Sequence, residues 1–129
     1  MRYFINSSRI FIFIILSCLF ISHTCLAETA VIPGYAGSGV WCVADLSSAV
    51  FKPSYYSETI VAVCVKEESR SGDVSNRGVW YFMQNSNGFI YVKTNDSNSY
   101  NELYGPYHSD SKEWKQEFFK KLVLAAKYN

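Results

Sequence analysis

Polar and apolar positions change rhythm several times along this chain, and the clearest pattern lies at Gly78–Thr94, G-V-W-Y-F-M-Q-N-S-N-G-F-I-Y-V-K-T. Two runs rich in aromatic and β-branched residues flank N-S-N-G. Asn-Gly is a strong hairpin signal, because a type I′ turn needs φ > 0 at both central residues. The pattern predicts a β-hairpin, with strands near 78–84 and 89–94. For a two- or four-residue turn, Trp80 and Phe82 share a face with Phe89 and Tyr91. Tyr81 and Met83 then share the other with Ile90 and Val92. Both faces are apolar, so both need cover.

Upstream, Val40–Ala44 reads as a short strand. Ile60–Val65 is apolar at every position, which suits a central strand buried on both faces. Asp45–Phe51 is ambiguous: Asp45 suits the cap of a helical turn, but Ser48 stands where a capping box wants Glu or Gln, and Lys52-Pro53-Ser54 ends the segment. Glu28–Gly39 is rich in Gly and Ala and reads as a loosely held arm. Its G-Y-A-G-S-G run lacks the Lys-Ser/Thr of a phosphate-binding loop. Glu67–Arg77 is polar but for Val74 and reads as a mobile connection. Downstream, Asn95–Ser109 reads as a long loop with a short edge strand at 101–104.

After that loop the period becomes helical. Trp114, Phe118, Leu122 and Ala125 form one stripe, which Phe119, Val123 and Ala126 widen. The pattern predicts a helix over 110–127. Asp110 is its expected N-cap, with Glu113 three residues on. The fold class that follows is α+β: a small antiparallel sheet of about four to five strands around the hairpin 78–94, covered by one C-terminal helix.

The first 27 residues stand apart. Arg2 and Arg9 precede an apolar run at Ile10–Ile21, and Cys25-Leu26-Ala27 ends in a small residue. This is the layout of a secretory signal peptide, with cleavage expected after Ala27. The run is shorter than the roughly 20 residues needed to span a bilayer, so no integral span is expected once it is removed. The rest, 28–129, is the length of one domain. The expected location is periplasmic or secreted. Of the four cysteines, Cys42 and Cys64 remain after cleavage. An oxidising compartment favours a disulfide between them, worth roughly 3 kcal/mol in the chain-entropy picture.

Removal of Arg2 and Arg9 leaves ten basic residues against eleven acidic ones. That balance offers no electrostatic footprint for nucleic acid and no polybasic patch for anionic lipid. One histidine, His108, remains in 28–129, so a metal site lacks ligands, and no cofactor motif is present. Tyr107-His108-Ser109-Asp110 holds catalytic residue types, but a triad needs neighbours in space, and adjacency in a loop does not supply them. The carboxylates are scattered, so no glycosidase pair can be placed.

The expectation is therefore a non-enzyme. The reading that fits best is an exported protein-binding module, such as an inhibitor, an immunity protein or an envelope-assembly accessory. Its partner would be another exported or envelope protein. Tyr100, Tyr104, Tyr107 and His108 are the candidate binding residues, because tyrosine offers large contact area with few torsions to freeze. The alternative is that these rings fold back and cover the hairpin. A hairpin followed by a Lys-bearing helix also resembles the middle of the small OB-fold B subunits of secreted toxins. That resemblance implies glycan binding.

Overall fold

The computed structural model describes residues 28–105, Tyr107 and residues 111–129. The expected signal peptide, His108 and Asp110 lie outside the described residues. Six strands follow one another: β1 (Thr29–Gly37), β2 (Val40–Lys52), β3 (Thr59–Ser69), β4 (Val74–Gln84), β5 (Ile90–Lys93) and β6 (Asn101–Glu102). Among the described residues, one helix, α1 (Lys112–Tyr128), follows the strands. Every strand pairs antiparallel with the next, in the order β1-β2-β3-β4-β5-β6. The architecture is α+β, a curled antiparallel meander with a helix against its inner face. The meander differs from the five-stranded Greek key of an OB fold. Among the described residues, no helix is long and apolar enough to cross a membrane.

Strand parity sets the core. On β3, Val61, Val63 and Val65 point inward, opposite Phe82, Trp80 and Gly78 of β4. Phe82 faces Val92 across the hairpin, so the inward residues of β5 are Ile90 and Val92. This inverts the expected pairing of faces. Gln84 pairs with Ile90, which leaves five residues in the loop, and an odd loop exchanges the faces. The turn is also not type I′: Asn87 has no positive φ, and Gly88, at φ 84°, donates its N–H to the Asn85 carbonyl. Asn85 Oδ1 accepts from the N–H groups of Asn87 and Phe89, at 3.1 and 2.9 Å. Phe89 is thereby held in the turn, half exposed.

Two segments read as irregular are strands. The arm at 28–39 is β1, with Ala30, Ile32 and Pro33 buried. The connection at 67–77 is the end of β3, a tight turn and the start of β4; Ser69 and Gly72 close that turn. Both strands carry small or polar residues, so period-two hydrophobicity does not reveal them. The ambiguous Asp45–Phe51 stretch is bulged strand. At the register shift, Ser48 Oγ accepts from the Cys64 N–H at 2.8 Å and donates to the Asp45 carbonyl at 2.6 Å. A side chain thus replaces the backbone partner that the bulge removes.

The curl brings the two ends of the sheet together. Tyr107 N–H donates to the Gly34 carbonyl at 3.1 Å. A Cβ at Gly34 would overlap the Tyr104 carbonyl, and one at Gly105 would overlap that of Gly34. Both glycines have positive φ, 78° and 60°. The seam therefore needs bare backbone on both sides.

Helix α1 starts later than expected. Ser111, and not Asp110, is the N-cap, and its Oγ accepts from the Trp114 N–H at 3.2 Å. Phe118, Phe119 and Leu122 enter the core, and Phe118 meets Phe82 edge to face at 5.1 Å between centroids. Trp114, expected in the core, is 38% exposed: it belongs to the first turn of the helix, beside the cap. At the other end, Asn129 Nδ2 donates to the carbonyls of Leu46 and Ala49, which ties the helix to the bulge of β2.

The expected disulfide is absent. Cys42 pairs with Glu67 and Cys64 with Asp45, so the thiols are three residues out of register. Three residues is about 10 Å along a strand and an odd step, which puts the side chains on opposite faces. Cys42 is buried and Cys64 exposed, and both are free. A disulfide needs Cα atoms within about 7 Å and converging side chains.

Candidate functional site

The candidate tyrosines are not gathered into one surface. Tyr100 lies beside the hairpin on the outer face of the sheet. Lys93 Nζ is 5.4 Å from its ring and 4.8 Å from that of Tyr81. Burial raises the Tyr100 pKa, and the neighbouring Tyr81 adds to the shift. Tyr104 lies against the helix, with Lys115 Nζ 4.1 Å from its ring. Tyr107 packs on the α-carbon of Gly37, where an added Cβ would come within 2.9 Å of its ring. Tyr100 thus partly covers the hairpin face that the helix leaves open, and Tyr107 seals the seam. Leu103, from the same loop, is fully buried in the core.

Two of the open surfaces bear on function. The first is the outer face of the sheet. One row across it runs Val50, Ala62, Tyr81, Lys93; the next runs Lys52, Ile60, Met83, Tyr91, Glu102. Val79 adjoins, paired with Cys64. Val50 and Val79 are 45% and 41% exposed. Antiparallel sheets usually turn polar side chains to solvent on the uncovered face. Here that face keeps an apolar and aromatic centre.

The second is a cavity of about 240 Å³ at the mouth of the curl, by the β1–β2 and β3–β4 turns. Its inner wall is Tyr35, Cys42 and Trp80. Arg77 and Glu67 form an ion pair on one side. Thr94, Asn95 and Asp96, just after β5, close the other. The Trp80 indole N–H donates to Asn95 Oδ1 at 3.3 Å, and Asn95 packs on Gly78. Burial pushes the Cys42 thiol up; Glu67 adds to that and Arg77 opposes it. Burial also raises Tyr35, with a further contribution from Cys42. A thiol held protonated is a poor nucleophile, so the wall offers hydrogen bonds and ring surface.

Sequence reasoning missed this cavity because its residues come from five separate segments. A signal did exist: Tyr35 stands in a small-residue run that lets strands approach closely. Comparison of the chain with family models, with curated proteins and with solved structures finds no match in any of the three.

Proposed function

We propose that this chain is an exported, non-catalytic module that binds another exported or envelope protein through the outer face of its sheet. The observation that carries the reading is the apolar centre of that face, from Val50 and Val79 to Met83 and Tyr91. Contiguous apolar patches of this kind mark interaction sites. Aromatic residues and Met are the types enriched in interface cores. The partner's contact surface is accordingly a broad apolar patch. The basic, apolar and small order of the first 27 residues supports export to the periplasm or beyond.

The test is quantitative capture from extracts of the producing cells by the exported chain and by its Val50→Asp/Val79→Asp variant. The expectation is one protein retained by the parent and lost by tenfold or more in the variant, about 1.4 kcal/mol. Both chains should melt alike, since both positions are exposed. Equal retention of the same proteins by the two chains would contradict the reading.

A further inference from the structure

The mouth cavity is separate from the outer face, and its chemistry points to a different kind of ligand. Its volume, about 240 Å³, lies below the roughly 300–1,000 Å³ of pockets for drug-sized molecules. It fits a single ring. Tyr35 and Trp80 meet edge to face, with centroids 5.0 Å apart and planes at 65°. Trp80 is nearly buried, which leaves Tyr35 as the ring that can be touched.

The charges narrow the choice. Arg77 on the wall repels an ammonium ligand, while Glu67 and Asp96 repel a phosphate or carboxylate. A wall bearing both signs favours a neutral ligand with several polar groups. Hydrogen-bonding groups are available for one. Among the described residues, the hydroxyls of Tyr35 and Thr94 have no hydrogen-bond partner, and neither has the thiol of Cys42, which is 7% exposed. The Asp96 carboxylate accepts only a long bond, 3.4 Å, from Asn95. Hydroxyls that both donate and accept match this set. The C–H face of a saturated ring suits the negative face of an aromatic ring. We infer that the mouth cavity is a sugar-binding site that takes one neutral pyranose ring between Tyr35, Thr94 and Asp96.

This inference does not rest on the protein-binding reading, and its test reads the cavity alone. The exported chain, labelled with ¹⁵N, is titrated with the methyl glycosides of glucose, galactose, mannose and N-acetylglucosamine, each to about 50 mM. The Trp80 indole N–H is the reporter and the Trp114 indole the control. The expected result is that at least one glycoside shifts Trp80 and leaves Trp114 unmoved. Tyr35→Phe and Thr94→Val, which preserve shape, should each weaken that binding about fivefold, the worth of one neutral hydrogen bond. The inference is overturned if none of the four moves Trp80, or if binding is unchanged in both variants. It is also overturned if choline or inorganic phosphate moves Trp80 at lower concentration than every glycoside.

Discussion

Gly34 and Gly105 show how single residues decide whether the sheet can curl. Each occupies a left-handed conformation, and each would drive a Cβ into a backbone carbonyl across the seam. Neither carbonyl can move away as a flexible side chain can. Gly34→Ala should therefore cost at least about 2 kcal/mol, from the conformational penalty and the overlap together. Urea unfolding reads the loss. Gly72→Ala is the control, because it has a comparable φ, 90°, with nothing near its Cβ position. If the two cost the same, the seam is not closed as described.

The two thiols test parity at the same scale. In native, unreduced protein, Cys64 should react rapidly with a thiol reagent and Cys42 much more slowly, being nearly buried and held protonated; a linked pair would give no reactive thiol, folded or unfolded. Cys42 and Tyr35 also set an alkaline limit. Burial raises both above their ordinary values, so the fold holds them neutral more strongly than the unfolded chain does. Their contribution is intact below the unfolded thiol value, about pH 8.5, and is lost as pH rises through the folded values. The stability of the parent should fall from there upward, and less steeply in Cys42→Ala/Tyr35→Phe. Parallel profiles would contradict the assignment.

Among the elements, the helix carries its load unevenly. Phe118 and Leu122 are almost fully buried, while Trp114 is 38% exposed. Phe118→Ala should cost about 3–5 kcal/mol and Leu122→Ala about 2–5 kcal/mol. Trp114→Ala should cost clearly less than either. Ser111→Ala should cost about 1 kcal/mol, the usual loss of a cap. Equal losses at Trp114 and Phe118 would mean that the helix is rotated from its described position. The helix and the strands β3 to β5 were legible because long apolar runs announce them. The start of the helix is not legible, because Asp and Ser are both good cap residues, and only the Trp114 N–H shows that Ser111 is used. β1 is not legible, since Gly34 and Gly37 serve close approach, which hydrophobicity does not measure. The faces of β5 are not legible, because the loop length, which the N-S-N-G signal leaves open, decides them.

For the whole molecule, the consequence is a sheet with one face filled by the helix and the other left apolar. The sequence already showed that both faces of the hairpin need cover. It could not show that helix α1 would choose the face of Phe82, nor that Tyr100, Tyr104 and Tyr107 would be dispersed to three places. The dispersal moves the candidate interface from the 95–109 loop to the sheet itself. The mouth cavity was invisible for a related reason: its walls are brought together only when the meander curls.

Photo-crosslinking in the producing cells reads directly whether the outer face of the sheet meets a partner. A photoreactive amino acid is placed at position 81 or 83 on the outer face, and at position 120 on the exposed side of the helix. One discrete heterotypic adduct is expected from both 81 and 83, with none from 120. Adducts of equal yield from all three positions, or only adducts between copies of this chain, would contradict the protein-binding reading.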